Sequence, residues 1–440
     1  MKIKDLIRVT RAEVNPDFLS DEILDKEVRI STDTRTIEAG DFYLPLKGEN
    51  FDGERFLEEA LEKGAVGAFC TTYASEKGIL LKVPNTLTAY LQLANYRRNE
   101  LNPRVVAVTG SSGKTTTKEL VASVLGIKFN TFKTPLNHNN EVGFCQTIFE
   151  MPDNTEALVL EMGMRGLGEI ELLSKYAEPD ITIICNVGTA HIGRLGSKEN
   201  IAKAKCEIVK YQRGKYFIAH DDELIRKTVN FAGEKIYYSI KEVNIFQKEA
   251  NCSKFEYKGN VYELNVGGEY NIENALSAIN AGLKLGLNVN EIEKGLKSYH
   301  PIEKRWEGVN VGGYEIINDS YNANPESMKA FVDTIFELYN NYTLVLGDMG
   351  ELGKSEVEYH KKLGEYINDH KSLDKKSTIV TIGELSQNIS DEIKNCKSIH
   401  FKTIEQAVNY IKQNISKESK IFLKASRSMK FERIIEGLNT

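Results

Sequence analysis

The sequence predicts an α/β protein of three domains. At about 150 residues per domain, a chain of 440 residues is long enough for about three. Hydrophobic residues make up 41% of the chain and include 20 Tyr and 18 Phe, enough apolar surface for several cores. Apolar runs of strand length also alternate with helical patterns along most of the chain, which is typical of mostly parallel sheets covered by helices.

Residues 1–84 are predicted to form a small mixed α/β domain. Its predicted elements are strands at Val28–Ser31, Asp41–Pro45 and Val66–Cys70 and a helix at Glu54–Lys63. Pro84 and Asn85 then favour a joint between domains.

Residues 85–308 are predicted to form a central domain that opens with a helix at Thr86–Asn99. The predicted strands of this domain are Val105–Thr109, Ala157–Met162, Ile181–Val187 and Tyr216–His220. Helical patterns lie between several of these strands, so a mostly parallel sheet with helices on both faces is expected.

Residues 309–440 are predicted to form a Rossmann-like, doubly wound C-terminal domain. Strands are predicted at Tyr314–Asn318, Tyr342–Leu346, Thr378–Ile382 and Lys420–Leu423, interleaved with helices at Pro325–Leu338, Glu356–Asn368, Ile404–Asn414 and Met429–Leu438. Ligands of such sheets bind beyond the carboxyl ends of the strands. The polar loops 319–325 and 347–353 follow two of these strands and are therefore candidate binding loops.

Charge and cysteine content exclude several classes of protein. The 57 basic and 63 acidic residues give a net charge of −6, so we expect no nucleic-acid partner. The six cysteines are scattered without a C-x-x-C motif, which favours reduced thiols, a cytoplasmic location and no zinc site. No apolar run reaches about 18 residues and no secretion signal is expected at the N-terminus, so we expect no membrane insertion.

A phosphate-binding loop is predicted after the strand Val105–Thr109. The loop is Gly110-Ser111-Ser112-Gly113, and a helix is expected to begin near Lys114. Glycines let the backbone curl so that loop N–H groups and the helix N-terminus point at an anion. Lys114 is suited to neutralising terminal phosphate oxygens, and the hydroxyl of Thr115 is a ligand type that Mg²⁺ accepts.

The loop departs from the general pattern, because Val108 stands where a glycine is usual. An ordinary strand–turn–helix with a surface lysine is the alternative. The strand context, both glycines, the lysine and the threonine together favour the phosphate loop.

Further candidate residues follow other apolar strands of the central domain. Glu161 ends the strand ALVLE, where a carboxylate can bind Mg²⁺ held by phosphates; a helix cap or an ion pair with Arg165 is the alternative. His191 follows the strand IICNV and is a candidate ligand or a structural histidine. Lys205 lies in a predicted helix and is ordinarily a solvated side chain. A lysine shielded beside a metal site can instead capture CO₂ as a carbamate, which is an anionic oxygen ligand.

Asparagine and arginine side chains supply the remaining candidates. Asn271 and Asn274 open a helical run and can read an adenine edge or cap the helix. Arg305 can reach phosphates across a domain joint or form a surface ion pair. The loop TPLNHNNEVG carries asparagines and is either a turn cluster or a polar cradle for a ligand; the asparagines are Asn137, Asn139 and Asn140.

Motifs in a fixed order along about residues 25–435 resemble those of the Mur ligases of peptidoglycan synthesis. The motifs are TGSSGKTTT, the asparagine loop, EMGMRGLGEI, NVGTAHIGRLGS with AKAK, GEYNIENA, RWE, DSYNANPESM, GDMGELG and KASRSM. The phosphate loop is common to all Mur ligases and to folylpolyglutamate synthases. The motifs EMGMRGLGEI, DSYNANPESM, GDMGELG and KASRSM are more selective for the branch that adds D-alanyl-D-alanine, and the D-N-P-R motif of the diaminopimelate-adding branch is missing.

The resemblance implies an activity and its cofactors. It implies an amide ligase that uses ATP to join D-alanyl-D-alanine to UDP-N-acetylmuramoyl-tripeptide through an acyl phosphate, with two Mg²⁺ ions. Thr115, Glu161 and His191 would hold the metal ions together with a carbamylated Lys205. Lys114 would bind the γ-phosphate.

The resemblance also implies contacts for each substrate. ATP would contact residues of the phosphate loop and of later motifs, namely Gly110, Ser111, Ser112, Gly113, Lys114, Thr115, Thr116, Asn271, Asn274, Arg305 and Asp319. The UDP-sugar would contact the first domain at Ser31, Asp33, Arg35, Lys47 and Gly48. Polar third-domain loops, including Asp348, would receive the dipeptide. We expect a monomer.

Two other functions stay open from the sequence. One is a different amide ligase, either another Mur-type enzyme or one like folylpolyglutamate synthase. The other is a catalytically silent nucleotide-binding subunit, which the intact set Lys114, Thr115, Glu161, His191 and Lys205 disfavours.

Overall fold

The computed structural model divides the chain into two compact units. The first unit comprises Met1–Pro103 and Thr134–Thr155, and the second comprises Arg104–Lys133 and Glu156–Thr440. The residues described are 1–14, 19–48, 50–72, 77–135, 138–249, 252–301 and 304–439.

The helices are α1 (Ile3–Thr10), α2 (Asp21–Leu24), α3 (Leu57–Glu62), α4 (Thr86–Leu101), α5 (Lys114–Leu125), α6 (Glu141–Glu150), α7 (Glu169–Ala177), α8 (Ile192–Leu195), α9 (Lys198–Cys206), α10 (Glu223–Thr228), α11 (Glu269–Lys284), α12 (Val289–Lys297), α13 (Pro325–Leu338), α14 (Glu356–Asp369), α15 (Gln387–Glu392), α16 (Ile404–Asn414) and α17 (Glu432–Asn439).

The strands are β1 (Glu13–Val14), β2 (Ile30–Ser31), β3 (Phe42–Tyr43), β4 (Gly67–Cys70), β5 (Ile79–Lys82), β6 (Arg104–Thr109), β7 (Thr131–Lys133), β8 (Ala157–Glu161), β9 (Ile181–Ile184), β10 (Tyr216–His220), β11 (Glu234–Tyr238), β12 (Asn244–Lys248), β13 (Ser253–Tyr257), β14 (Asn260–Leu264), β15 (Glu307–Val311), β16 (Tyr314–Asn318), β17 (Tyr342–Gly347), β18 (Thr378–Ile382), β19 (Lys397–Phe401) and β20 (Lys420–Lys424).

The first unit contains a five-stranded sheet in the order β1-β5-β4-β3-β2. Strands β2 to β5 pair in parallel and β1 is antiparallel to β5. Tyr43, Leu57 and Leu80 lie in its core cluster. The predicted strands are shorter in the structure, since Val28–Ser31 becomes Ile30–Ser31, and the predicted helix at Glu54–Lys63 is a 3₁₀ turn, Gly53–Phe56, followed by α3.

In the second unit, the first large sheet places β6 at its centre. The order is β11-β10-β9-β6-β8-β7 and every neighbouring pair is parallel. The carboxyl ends of β8, β6 and β9 therefore meet at one edge. The predicted parallel sheet is confirmed. Helix α5 begins at Lys114, as predicted, and packs against α11 and α12.

The other large sheet has the order β15-β16-β20-β17-β18-β19. Consecutive residues face opposite layers, which is the period of a strand. Leu344 and Phe422 pack toward α13, α14 and α15, whereas Val345 and Leu423 pack with α16 and α17. This confirms the predicted doubly wound arrangement. The strand bounds Tyr314–Asn318 and Thr378–Ile382 match the prediction.

Antiparallel elements were not predicted. Strands β12, β13 and β14 form a three-stranded antiparallel sheet, and β15 pairs antiparallel with β16. The predicted boundary between residues 308 and 309 falls inside β15; the three sets of domain limits stay predictions. All six cysteines are free thiols. Within the described part of the chain, no helix is both long and apolar enough to cross a bilayer.

We expect Gly295→Ala to destabilise the protein, because α12 touches α5 at this glycine. A Cβ at Gly295 would lie 2.5 Å from Cα of Val124 and 3.0 Å from the carbonyl oxygen of Ser123. The obstructing atoms are backbone, so overpacking of about 1–3 kcal/mol outweighs the gain in helix propensity. Urea unfolding measures the change in midpoint. Gly308→Ala is the control, since a Cβ added at Gly308 would lie 4.0 Å from its nearest neighbour, Cδ1 of Ile317. Equal midpoints for the two variants would contradict this packing argument.

Candidate active site

The predicted phosphate loop joins β6 to α5 and depends on both glycines. Gly113 has φ +76°, and a Cβ there would lie 2.5 Å from Oδ1 of Asn274. A Cβ on Gly110 would lie 2.8 Å from Cβ of Cys185. The loop can therefore close against β9 and α11 only without these side chains.

Asn186, which the sequence reasoning missed, holds the loop from the neighbouring strand end. Its Oδ1 accepts hydrogen bonds from the N–H groups of Ser111, at 3.1 Å, and Ser112, at 3.0 Å. Its Nδ2 donates to Oγ of Ser112 at 3.0 Å. The available signal was its position directly after the apolar run IIC, the same rule that selected Glu161. Because Asn186 takes two loop N–H groups, the N-terminus of α5 is the better-placed anion donor.

Lys114 folds back over the loop that precedes it. Its Nζ donates to the carbonyl oxygen of Gly110 at 2.9 Å. Burial lowers the pKa of Lys114, and the negative charges of Glu161 and Glu351 oppose that shift. A phosphate bound at the N-terminus of α5 would lie close to this ammonium.

Thr115 links the phosphate loop to two more predicted residues. Its hydroxyl donates to Oε2 of Glu161 at 2.8 Å and accepts from Nη2 of Arg305 at 2.8 Å. The guanidinium of Arg305 also lies 4.1 Å from the centre of the Tyr321 ring, a cation–π distance. The structure thus brings Thr115, Glu161 and Arg305 together although 190 residues separate the first from the last.

Lys205 is buried on α9, with 1% of its surface exposed. Burial lowers the pKa of Lys205 well below its usual value, and the charge of Lys114 adds to that shift. A solvated face lysine would not be so enclosed. The structure therefore places Lys205 near Lys114 of the phosphate loop, in surroundings that disfavour its charged form.

His191 precedes α8 with φ +64° and contacts a loop of the other large sheet. Its Nδ1 lies 2.8 Å from Oε2 of Glu351, in the predicted polar loop 347–353. The hydrogen bond with His191 lowers the pKa of Glu351. Glu351 is a second residue that the sequence reasoning did not single out.

Asn271 and Asn274 lie on α11, and neither is the N-cap, which is Gly268. Nδ2 of Asn271 donates to the carbonyl oxygen of Gly267 at 2.7 Å. Oδ1 of Asn274 accepts from the hydroxyl of Thr117 at 3.2 Å, so this side chain braces the first turns of α5. Thr116 is buried on the same turn.

Asp319 and Asp348 follow β16 and β17. Oδ2 of Asp319 accepts from Nζ of the buried Lys424 at 2.5 Å. The carboxylate of Asp348 accepts from the N–H groups of Glu384, at 3.1 Å, and Ser386, at 2.7 Å. Both aspartates therefore tie strand ends of this sheet together, and their contacts with ATP and dipeptide stay predictions.

The polar cluster predicted for the UDP-sugar lies in the first unit. Asp33 and Arg35 form a bidentate ion pair, which lowers the pKa of Asp33 to about 2. Ser31 is buried at the end of β2 and its hydroxyl donates to the carbonyl oxygen of Asp33 at 3.2 Å. Lys47 lies 3.3 Å from Asp52, and the N–H of Gly48 donates to the carbonyl oxygen of Phe51.

The asparagine loop is only partly described. Asn140 caps α6, where its Oδ1 accepts from the N–H of Gly143 at 2.9 Å. Asn139 is partly buried beside it. Asn137 lies outside the described residues. The helix cap formed by Asn140 agrees with a turn cluster, one of the two interpretations. The other interpretation, a cradle for a ligand, stays a prediction.

The chemistry of the donor set fits Mg²⁺ bound together with phosphates. Among the described residues no three His, Cys, Asp or Glu side chains gather into a metal cluster. Mg²⁺ commonly takes one or two carboxylates, with phosphate oxygens and water supplying the rest. The buried hydroxyl of Thr115 and carboxylate of Glu161, at the N-terminus of α5, match that need.

Comparison with known proteins identifies the family. Residues 108–282 match the Mur ligase middle domain, and residues 304–427 match the domain described as Mur ligase, glutamate ligase domain. The chain belongs to the Mur ligase family, as its motifs predicted. UDP-N-acetylmuramoyl-tripeptide--D-alanyl-D-alanine ligase of Bacillus subtilis (strain 168) is 38% identical over 429 residues, which are 93% of this chain and 92% of that protein.

Solved structures agree with that relationship. A crystal structure of MurF from Acinetobacter baumannii has a TM-score of 0.91 at 28% identity, covering 100% of this chain and 98% of that one. MurF ligase from Thermotoga maritima in complex with ADP has a TM-score of 0.84 at 27% identity, covering 96% and 98%. The predicted three-domain architecture is confirmed.

We expect Gly113→Ala to weaken ADP binding by about tenfold or more while the protein stays folded. Alanine would have to adopt φ +76° and would collide with Asn274, which braces the loop. Titration calorimetry with ADP and Mg²⁺ measures the affinity.

Gly168→Ala is the matched control, because Gly168 has φ +85° but a Cβ added there would meet nothing within 4 Å. Alanine at position 168 would have the backbone strain of a positive φ but would not collide with a neighbour. Wild-type affinity in Gly113→Ala, or an equal loss in Gly168→Ala, would contradict the role given to the loop.

Proposed function

We propose that this chain is an ATP-dependent amide ligase that joins D-alanyl-D-alanine to UDP-N-acetylmuramoyl-tripeptide in peptidoglycan precursor synthesis. The observation that carries the proposal is the 38% identity, along 93% of the chain, with a relative of that name. The connected set of Lys114, Thr115 and Glu161 supports it, since a silent subunit would not need these side chains.

The reaction overcomes the low reactivity of a carboxylate toward an amine. The terminal carboxylate of the tripeptide attacks the γ-phosphorus of ATP, which releases ADP and gives an acyl phosphate. The free amine of D-alanyl-D-alanine then attacks the acyl carbon, and the tetrahedral intermediate expels inorganic phosphate and loses a proton. Lys114 and the N-terminus of α5 offset the negative charge that develops on the transferred phosphoryl group.

Mg²⁺ would supply charge neutralisation between two anionic reactants. Thr115 and Glu161 would hold one ion, and we assign His191 and a carbamylated Lys205 to a second one. In this assignment Asn271, Asn274, Arg305 and Asp319 contact ATP together with Gly110 to Thr116. Glu351 holds Nδ1 of His191 at 2.8 Å.

The carbamate on Lys205 is a specific part of the proposal. It forms when the neutral amine attacks the carbon of CO₂ and loses a proton. Burial lowers the pKa of Lys205 and so makes the neutral amine easier to reach than on an exposed lysine. The product is an anionic oxygen ligand, whereas an ammonium would repel Mg²⁺.

The remaining assignments concern substrates and setting. Ser31, Asp33, Arg35, Lys47 and Gly48 are proposed contacts of the UDP-sugar. The asparagine loop and Asp348 are proposed contacts of the peptide substrates. The monomeric state and the cytoplasmic location stay predictions.

We expect inorganic phosphate release to require ATP, UDP-N-acetylmuramoyl-tripeptide and D-alanyl-D-alanine together. Each substrate is omitted in turn, and mass spectrometry identifies the pentapeptide product.

Lys114→Ala should lower turnover by about 100-fold or more, because a preorganised charge is lost. Turnover with a folate and glutamate but no tripeptide would support the alternative of a folylpolyglutamate synthase-like enzyme. The absence of any turnover by folded wild-type protein would support a silent subunit.

We expect Lys205→Ala to lose most activity and to regain part of it with a short carboxylic acid that fills the vacated space. Lys205→Arg should not regain activity, because guanidinium keeps its charge and cannot take up CO₂. Carbon-13 NMR with labelled bicarbonate reports the carbamate directly. Lys203→Ala is the control, since Lys203 is exposed on the same helix. Wild-type activity in Lys205→Ala, or no labelled carbamate in the wild type with ADP and Mg²⁺, would overturn this assignment.

A further inference from the structure

The segment between β9 and α8 touches both large sheets of the second unit. On one side it holds the phosphate loop, because Oδ1 of Asn186 accepts from the N–H groups of Ser111 and Ser112. Gly188 adds a second bond, because its N–H donates to Oγ of Ser111 at 2.9 Å. A displacement of this segment would therefore change the shape of the phosphate loop.

On its other side the same segment is held by Glu326. Oε2 of Glu326 accepts from the N–H of Thr189 at 3.0 Å and from its hydroxyl at 2.7 Å. Oε1 of Glu326 lies 3.4 Å from Nζ of Lys198. Thr189 is 2% exposed, so its two donors depend on this carboxylate. A Cβ on Gly188 would lie 2.9 Å from Cδ of Glu326, which shows how closely the segment and the side chain approach.

Glu326 lies directly after the polar loop 319–325. It is the second residue of α13, where the helix dipole favours a negative charge. Asn324 caps the helix, and Lys424 holds Asp319 at the other end of the loop. The loop is thus fixed at both ends, and Glu326 is the point at which it meets the segment that supports the phosphate loop.

We propose that Glu326 is a positioning residue for the ligase reaction. Through Thr189 it sets the distance between the phosphate loop and the polar loop 319–325. An incoming amine must meet the activated carboxyl group at van der Waals range, and small misplacements of such groups cost large factors in rate. Glu326 touches no reacting atom in this scheme. The inference rests on the proposed function, in which the phosphate loop holds ATP, and loop 319–325 contacts ATP at Asp319 and belongs to the polar loops that would receive the dipeptide.

Variants of the pair Glu326 and Thr189 test the inference. Glu326→Ala removes both hydrogen bonds, whereas Thr189→Val removes the one from the hydroxyl and leaves the backbone N–H to donate. Each variant should lower kcat about tenfold or more, because a hydrogen bond to a charged group that holds the segment is lost. The KM for the UDP substrate should change less than twofold, because its proposed contacts lie in the first unit. Thr189→Ser and Glu326→Gln keep the hydroxyl and the acceptor oxygen, so each should recover kcat to within about threefold of wild type.

A double-mutant cycle separates positioning from general support. If the two single variants lose kcat because the same contact is lost, the double variant Glu326→Ala/Thr189→Val should be no slower than the slower single variant. Glu337→Gln, on the same helix and paired with Lys248, is the control and should keep the wild-type kcat. Thermal unfolding checks that each variant is folded; if Glu326→Ala unfolds, the test rests on Thr189→Val and Glu326→Gln.

The outcomes distinguish this inference from the proposed function. Wild-type turnover that depends on D-alanyl-D-alanine, with a loss of kcat in Thr189→Val and recovery in Thr189→Ser, supports the positioning role. Wild-type kcat in Thr189→Val, or multiplicative losses in the double variant, overturns it while leaving the function standing. A wild type without such turnover overturns the proposed function itself.

Discussion

The hydrogen bonds between Asn186 and the phosphate loop are the constraint on which the rest of the site depends. A loop of four small residues has few contacts of its own, and its curl leaves backbone N–H groups to be satisfied. One amide side chain from the next strand accepts from two of them and donates back to Ser112. The loop is then fixed to β9, and β9 in turn carries the segment that reaches His191.

This arrangement concentrates charge in a buried region. Lys114 and Lys205 lie close enough that the charge of the first lowers the pKa of the second. Burial disfavours the charged form of both amines, so each charged form needs an anion nearby. Glu161 is one such anion for Lys114, and phosphate groups at the N-terminus of α5 would be others.

The other large sheet of the second unit positions loops beside the site and adds little charge to it. Its strand ends are tied to one another by Asp348 and by the pair of Asp319 and Lys424. Such bonds at strand ends hold the polar loops in place. The loops that carry Glu326 and Glu351 can then meet the β9–α8 segment at defined points.

The sequence by itself determined the elements with strong local signals. Strands buried on both faces, such as Tyr216–His220, and helices with a cap and a clear period, such as Ile404–Asn414, were predicted with their observed bounds. The phosphate loop was also predicted, with its glycines, lysine and threonine. These residues follow one another along the chain, so the sequence alone places them together in space. The antiparallel strands β12 to β15 were missed, since their exposed faces weaken the apolar pattern.

Only the tertiary structure decided which distant side chains meet. The contacts of Thr115 with Arg305 and of Thr189 with Glu326 join residues 190 and 137 positions apart. No local pattern encodes such a pair, because each partner is an ordinary polar residue at the end of its own strand or helix. The order of the strands brings them together. In the same way, the sequence of a short helix predicts that its lysine is exposed to solvent. The position of α9 in the folded chain instead buries Lys205.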